Sequence, residues 1–210
     1  FYASHLFIPV IYADDTALSA TLNSFYNNNQ NYVSEINNEL TSVNDWFQLN
    51  GLSININKTK AMLFYDPRKK VEEIKLKINN SDIEFVTEFN YLGIIFDSNL
   101  SWNAHINMIS RKISKSLCVM NKLKNVIPTN IRLTLYNTLI LPHISYGILA
   151  WGSRCHKLFK LQKRSIRQIA NVKYNAHTDP IFKQLSLLKI SDLCALQEFK
   201  FIFKLKNKLL

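Results

Sequence analysis

The chain has 210 residues, of which 47% are hydrophobic, 12% aromatic and 20% charged, with four Gly and five Pro. This composition excludes a disordered or collagen-like chain and suffices for one large globular domain or two small ones. The longest apolar run, Leu139 to Trp151, contains Pro142 and is shorter than the roughly 20 residues that span a bilayer, so the sequence predicts no membrane helix.

The charge is unevenly distributed between the two halves. Residues 1–100 contain 7 Lys or Arg and 12 Asp or Glu, a net charge of −5, whereas residues 101–210 contain 19 and 3, a net charge of +16. A lysine bias from AT-rich coding would not explain why lysine is scarce in the first half of the same chain. A polyanionic partner is the usual reason to tolerate such an excess, so the second half is predicted to bind nucleic acid.

The three cysteines are odd in number and far apart. They predict neither a disulfide framework nor a zinc site, and they favour a reducing, intracellular compartment, with nucleus or cytoplasm left open. The chain begins at Phe1 without a basic and then apolar leader, as if inside a strand. We therefore expect it to be a piece of a longer polyprotein.

The first hundred residues predict short strands and one helix. Apolar runs at Leu6–Tyr12 and Ala17–Leu22 flank a polar segment and predict a hairpin with residues 13–16 at its tip, where Pro9 fits an edge position. Apolar residues then recur at steps of three and four and predict an amphipathic helix that stops at Gly51. These residues are Val33, Ile36, Leu40, Val43, Trp46 and Phe47.

Further strands are predicted up to residue 97. We expect a short strand around Ala61–Phe64 and a second hairpin between Ile74–Ile78 and Ile83–Val86. An extended run from Phe89 to Phe96 follows, and Asp97 ends it.

Beyond Trp102 the apolar period becomes helical. One stripe comprises Ile106, Ile109, Ile113, Leu117, Met120 and Leu123. A second helix should place Ile131, Leu135 and Leu139 inward until Pro142 or Gly147 interrupts it. A third spans about Lys157 to Val172, and the tail Leu185–Leu210 predicts one or two more basic helices. The fold class is therefore α+β, with mixed strands followed by a basic, all-helical region.

Asp14 and Asp15 are adjacent carboxylates at the tip of an apolar hairpin. Like charges about 4 Å apart repel, and a divalent cation removes that cost. Oxygen ligands of this kind suit Mg²⁺, with Mn²⁺ as an alternative. A solvated hairpin turn, for which Asp is ordinary, is the other interpretation of these two residues alone.

The sequence around these aspartates resembles that of a known polymerase family. Tyr12-Ala13-Asp14-Asp15, with an apolar strand in front, is similar to motif C of reverse transcriptases, in the form typical of non-LTR (LINE-type) retrotransposons. Gly51 to Lys60 resembles motif D, and Phe89 to Ile94, followed by Asp97, Leu100-Ser101-Trp102 and His105, resembles motif E, the primer grip. Asn90 departs from the pattern, because the family more often has Lys there.

The resemblance extends over nearly the whole chain. Residues 135–142 and 146–152, then Leu161 to Arg164 and Arg167, resemble the helical region after the palm in jockey-like elements. The family therefore implies that residues 1–102 are the C-terminal part of a palm with motifs C, D and E. It implies that residues 103–175 are a helical thumb and residues 176–210 a helical post-thumb segment.

The resemblance also implies roles for individual residues. Asp14 matches the metal-binding aspartate and Asp15 its less strictly required neighbour, while Tyr12 would pack under the primer 3′ end. Lys58 matches the lysine near the departing pyrophosphate, although Lys60 could be that residue. The remaining nucleic-acid contacts are expected at the primer grip and on the basic helices. They are Tyr91, Leu92, Gly93, Arg111, Lys112, Lys115, Lys163, Arg164 and Arg167.

The resemblance implies an enzymatic function, to which there is a non-catalytic alternative. The family implies an RNA-directed DNA polymerase that uses an RNA template, a DNA primer, deoxynucleoside triphosphates and Mg²⁺. It would work with the upstream fingers and palm of the same polyprotein, which carry the motif A aspartate. The isolated chain is expected to be inactive, because that aspartate is not in this sequence. The alternative is a non-catalytic, nucleic-acid-binding remnant of a decayed element; a group II intron or telomerase enzyme fits the post-thumb resemblance less well.

Overall fold

The computed structural model describes residues 5–21, 29–66, 68 and 74–209. The chain divides into two compact units, Phe1–Thr87 and Glu88–Leu210. The functional boundaries expected after residues 102 and 175 remain predictions. The boundary between the compact units lies before residue 102, so the hairpin that precedes Trp102 belongs to the same unit as the helices that follow it.

The first unit, in its described part, combines short strands with one long helix. Its small core contains Ile36 and Leu40 from the helix and Ile78 and Ile83 from the strand region. The elements are β1 (Ile8–Tyr12), β2 (Asp15–Ser19), α1 (Asn29–Leu49), β3 (Lys60–Ala61), β4 (Lys77–Ile78), β5 (Ser81–Asp82) and β6 (Glu84–Phe85).

Helix α1 follows the predicted apolar spacing, and it ends where the sequence indicated. Gly51 has a φ of +73°, and the Leu52 N–H donates to the Phe47 carbonyl at 2.9 Å. The Gly51 N–H donates to the Gln48 carbonyl at 3.0 Å. This pair of bonds is a Schellman motif, which needs a residue that tolerates a left-handed conformation at the position of Gly51.

Two strand predictions in the first unit need correction. The strand expected at Ala61–Phe64 is confined to Lys60–Ala61, and it pairs in parallel with Glu84–Phe85. The predicted return strand Ile83–Val86 does not pair with β4, because its strand residues form β6 and pair with β3. The partner of β4 is β5, which follows it after a two-residue turn. That turn is Asn79–Asn80, and both residues have positive φ, as a type I′ turn requires.

The second unit starts with a hairpin and continues as helices. The predicted extended run Phe89–Phe96 is wrong, because Leu92 (φ +48°) and Gly93 (φ +79°) form a tight turn inside it. Apolar periodicity does not reveal a turn within an apolar run. The elements are β7 (Glu88–Tyr91), β8 (Ile94–Asp97), α2 (Asn103–Leu123), α3 (Thr129–Leu139), α4 (Leu141–Ser145), α5 (Ile148–Trp151), α6 (His156–Ala170), α7 (Asp179–Gln184) and α8 (Ile190–Lys206).

The helices of the second unit share one core. The predicted stripe on α2 is buried from Ile106 to Met120, whereas Leu123 is exposed. Phe182 from α7 and Ile190 from α8 join that same core, together with Trp151. The segment after residue 175 therefore packs as part of the second unit.

The inward face of α3 differs from the prediction. Ile131 and Leu139 are exposed, and the buried residues are Arg132, Tyr136 and, just after the helix, Ile140. The Arg132 guanidinium donates to the Lys124 carbonyl and to the Thr129 hydroxyl, and the Tyr136 hydroxyl accepts from Gln162 at 2.9 Å. These polar contacts offset the burial of Arg132 and Tyr136, so the buried face lies one residue further along the helix than hydrophobicity alone suggests.

Candidate functional site

The acidic pair lies on the β1–β2 hairpin, and the hairpin tip is tighter than predicted. Tyr12 pairs directly with Asp15, so the turn consists only of Ala13 and Asp14. Ala13 has a φ of +53°, a conformation that favours glycine. Asp14 therefore occupies the turn, while Asp15 is the first residue of β2 and shares a face with Tyr12.

Both carboxylates are accessible to a ligand. Asp14 and Asp15 are exposed, and neither forms a hydrogen bond or ion pair within the described part of the chain. No group of three or more His, Cys, Asp or Glu side chains able to hold a metal ion occurs among the described residues. The two aspartates thus offer oxygen donors of the type that Mg²⁺ prefers, but they form an incomplete ligand set.

The same hairpin exposes an apolar face beside Asp15. The side chains of Ile8, Val10 and Tyr12 are 69%, 55% and 64% exposed, and they alternate along β1 on the face that carries Asp15. On the other face, Leu18 packs against the core of the first unit. Tyr12 is therefore accessible, as its expected contact with a primer requires.

The two lysines considered for motif D have different environments. Lys58 ends a turn in which its backbone N–H donates to the Asn55 side-chain oxygen at 3.2 Å, and its side chain is exposed. Lys60 forms an ion pair with Glu84 at 2.5 Å across β3 and β6. The accessible ammonium is therefore that of Lys58. It forms no hydrogen bond or ion pair with Asp14 or Asp15 within the described part of the chain.

The predicted primer-grip residues lie at the turn of the β7–β8 hairpin. Tyr91 pairs with Ile94, so Leu92 and Gly93 are the central residues of a two-residue turn with positive φ at both positions. That pattern is a type I′ turn, which fits the right-handed twist of a hairpin. The Leu92 carbonyl accepts a hydrogen bond of 2.6 Å from the Tyr146 hydroxyl.

Asp97 organises the loop that leads from this hairpin into α2. Its buried carboxylate accepts from the backbone N–H groups of Ser101 at 2.9 Å and Trp102 at 2.8 Å, and from the Ser101 hydroxyl at 3.2 Å. The Asn99 N–H lies at 3.3 Å. Trp102, with a φ of +62°, then packs its ring against Phe96 at 5.4 Å between centroids. The residues that follow the predicted motif E therefore have a structural role here.

His105 connects the hairpin to the helical core. Its Nδ1 accepts from the Ile95 N–H at 3.2 Å, and its ring lies 5.7 Å from that of Trp151. Because Nδ1 is the acceptor, the neutral ring carries its proton on Nε2, which is buried and has no hydrogen-bond partner among the described residues. Burial, with a smaller contribution from Lys112, lowers the pKa of His105 and favours this neutral form.

The basic residues divide into exposed and internally engaged groups. On α2, Arg111, Lys112 and Lys115 are exposed, and on α6 so is Arg164. By contrast, the Lys163 ammonium lies 4.4 Å from the Phe159 ring centroid, and the Arg167 guanidinium donates to the Ala176 carbonyl at 2.8 Å. These last two were predicted as nucleic-acid contacts, and both already have partners within the second unit.

Sequence reasoning missed several residues of this surface. Lys157 and Lys160 are exposed on α6, and Lys157 donates to Asn107 of α2 at 2.6 Å, which places the two basic helices side by side. The sequence does carry a direct signal for this basic surface. Residues 98–178 contain 13 Lys or Arg and no Asp or Glu. The cations of α2 and α6 therefore have no carboxylate of their own region to pair with.

Three relatives share most of this chain. It is 26% identical over 160 residues to the RNA-directed DNA polymerase from the mobile element jockey of Drosophila funebris. It is 24% identical over 188 residues to the Drosophila melanogaster jockey polymerase, and 22% identical over 161 residues to the probable RNA-directed DNA polymerase of the X-element of that fly. The chain is related to the reverse transcriptases of jockey-like non-LTR retrotransposons. The family resemblance predicted from the sequence is thereby confirmed.

The similarity covers different shares of the two sequences. The aligned parts are 73%, 86% and 70% of this chain, but only 17%, 20% and 17% of the relatives. The chain thus spans about a fifth of the length of the curated relatives it matches. No family model matches this chain. No solved structure matches it either.

Proposed function

We propose that this chain is the C-terminal palm and the thumb of a reverse transcriptase that extends a DNA primer on an RNA template. The observation that carries the proposal is the run of 81 residues, 98–178, with 13 cations and no acidic side chain. In the second unit that run builds α2 and α6, which lie side by side and expose most of their lysines and arginines. Unpaired cations on adjacent helices repel each other unless a polyanion neutralises them.

The acidic hairpin supports the catalytic part of the proposal. Asp14 and Asp15 would hold Mg²⁺ or Mn²⁺ together with the aspartate expected upstream, in motif A. Such ions, when bound, activate the primer hydroxyl and stabilise the leaving pyrophosphate in nucleotidyl transfer. Tyr12 is placed on the face of Asp15, where it can support the primer end. The exposed Lys58 ammonium can offset charge on the departing pyrophosphate.

A second candidate function is duplex binding without catalysis, as in a remnant of a decayed element. It requires only the basic surface of α2 and α6 and no complete metal site. The two candidates share the basic surface and differ in primer extension by a chain that also carries motif A. No helix in the described part of the chain has the length and apolar character needed to cross a bilayer. The partners that we propose are the template, the primer and deoxynucleoside triphosphates inside the cell.

The basic surface is tested by titrating duplex binding of the 210-residue chain with salt. For about four to six phosphate contacts, the slope of log affinity against log salt should be roughly −3 to −5. The double charge reversal Lys160→Glu with Arg164→Glu should weaken binding to unrelated sequences equally, because phosphate contacts do not read bases. It should also reduce the magnitude of the slope by about 2.

The matched control is Lys204→Glu with Lys208→Glu, which changes the net charge equally at exposed positions outside α2 and α6. The control should keep more of the affinity than the α6 variant does. A salt slope near zero would show that phosphate contacts do not drive binding. Equal losses in both variants would show that the positive charge acts only through the net charge of the chain and that these helices do not hold the duplex.

A further inference from the structure

The turn of the β7–β8 hairpin is held by the segment between α4 and α5. Tyr146 lies in that segment, and its hydroxyl donates to the Leu92 carbonyl at 2.6 Å. The Tyr146 carbonyl in turn accepts from the Trp151 indole N–H at 3.0 Å. Trp151 is fully buried, so the backbone of Tyr146 is fixed to the core of the second unit. The hydroxyl is thereby aimed at one carbonyl of the turn.

Gly147 provides a second contact with the same turn. It has a φ of +64°, and a Cβ at this position would overlap the Ile94 side chain. The absence of a side chain at Gly147 therefore allows Ile94, the residue after the turn, to pack directly against the segment. One residue later, the Ile95 N–H donates to His105, whose ring lies beside that of Trp151. The hairpin is thus held at three places. Tyr146 bonds the Leu92 carbonyl and His105 bonds the Ile95 N–H. Gly147 leaves room for the Ile94 side chain between these two bonds.

The exposure of Tyr146 indicates that its main role is not packing in the hydrophobic core. Its side chain is 56% exposed, whereas Tyr136 and Trp151 of the same core are fully buried. A half-exposed ring contributes little to the hydrophobic core, so the specific feature of Tyr146 is its hydroxyl. The bond partner is the carbonyl of a residue at positive φ, at the point where the chain reverses. Such a bond fixes the orientation of the turn's backbone.

We infer that Tyr146 is a positioning residue whose hydroxyl sets the backbone of Leu92 and Gly93 at the hairpin turn. The turn and the basic helices α2 and α6 belong to the same compact unit, and this hydrogen bond fixes the turn within that unit. The inference rests on the proposed function in one respect, namely that the turn contacts the primer 3′ end. The hydroxyl would then decide how well a recessed 3′ end is held, while the basic helices bind the duplex without regard to its ends.

The test compares Tyr146→Phe with the wild-type 210-residue chain. The control is Tyr174→Phe, which removes a hydroxyl from a side chain that is 89% exposed. The first measurement is amide hydrogen exchange of residues 91–95. It should become about fivefold faster in Tyr146→Phe, the change that corresponds to losing one hydrogen bond of about 1 kcal/mol. Exchange in α2 and α6 should not change, and the control should leave all of these rates unaltered.

The second measurement is affinity for two RNA–DNA duplexes of equal length, one with a recessed DNA 3′ end and one continuous. Tyr146→Phe should lose a severalfold preference for the recessed end and keep its affinity for the continuous duplex. Gly147→Ala should act in the same direction, because its Cβ displaces Ile94, so it serves as a second variant if Tyr146→Phe is poorly folded.

The outcomes separate this inference from the proposed function. Unchanged exchange at residues 91–95, or equally faster exchange throughout the second unit, would overturn the positioning role. Faster exchange at the turn with an unchanged preference for the recessed end would overturn the link to the primer. If the wild-type chain binds neither duplex, the proposed function fails, and the exchange measurement still decides whether Tyr146 sets the turn.

Discussion

Asp97 shows how a single buried carboxylate can hold a junction between a hairpin and a helix. It lies at the end of β8 and accepts from two backbone N–H groups of the loop just before α2, those of Ser101 and Trp102. These bonds satisfy two donors of the loop, and a carboxylate near the N-terminus of a helix interacts favourably with the helix dipole. Asp97 therefore couples the predicted primer grip to the first basic helix.

We expect Asp97→Ala to lower the free energy of unfolding of the second unit by on the order of 3 kcal/mol. The substitution leaves buried donors without an acceptor, and each hydrogen bond to a charged group is worth about 1.5–3 kcal/mol. Asp97→Asn should cost less, since one oxygen remains to accept from Ser101. Urea unfolding followed by circular dichroism measures both changes. Glu88→Gln, at the exposed start of β7, is the control, and an equal effect of all three substitutions would contradict this role.

At the scale of the element, the β1–β2 hairpin assigns different positions to its two aspartates. Asp14 is in the two-residue turn, and Asp15 is paired with Tyr12 in the ladder. A two-residue turn changes the direction of the chain between them, so the two carboxylates are not equivalent toward one bound ion. The family resemblance gives the stricter role to Asp14.

The prediction for this element concerns a polymerase that contains this segment together with motif A. Asp14→Asn should reduce Mg²⁺-dependent primer extension by about 10²-fold or more, because a lost metal ligand costs several kcal/mol of transition-state stabilisation. Asp15→Asn should reduce it much less. Single-nucleotide incorporation rates on a primed RNA measure the difference. Equal tolerance of the two substitutions would remove the assignment of Asp14 as the principal metal ligand.

At the scale of the whole molecule, the boundary between the two compact units also separates a net acidic part of the chain from a net basic part. Residues 1–87 contain 7 Lys or Arg and 10 Asp or Glu, whereas residues 88–210 contain 19 and 5. The boundary between the compact units lies between Thr87 and Glu88. The hairpin β7–β8 is therefore structurally part of the basic unit, although the family resemblance counts it with the palm.

We expect residues 88–210 to fold alone with a cooperative unfolding transition, and residues 103–210 to be clearly less stable. The shorter piece lacks Asp97, the Ile95 amide that bonds His105, and the Leu92 carbonyl that accepts from Tyr146. It also lacks Trp102, which is 8% exposed and belongs to the core of the complete unit. Thermal unfolding of both pieces by circular dichroism measures this. Equal midpoints would mean that the hairpin is not an integral part of the second unit.

The sequence by itself determined the helices α1, α2 and α6, because long amphipathic stripes have a period that hydrophobic burial imposes locally. It also indicated the resemblance to jockey-like reverse transcriptases, since the order of the predicted motifs around Asp14, Lys58 and Tyr91 is a property of the chain alone. The basic character of the second half is likewise a matter of counting charges. None of these conclusions requires knowing which residues meet in space.

Only the tertiary structure decided the rest. It showed that Arg132 and Tyr136, and not Ile131, face inward on α3, because long-range partners such as Gln162 satisfy their polar atoms. It separated the engaged Lys163 from the exposed Arg164, which the sequence treats alike. It also brought Tyr146 to Leu92, 54 positions apart, through a turn hidden within an apolar run. Periodicity and composition report local order, whereas contacts between distant residues depend on how the elements pack.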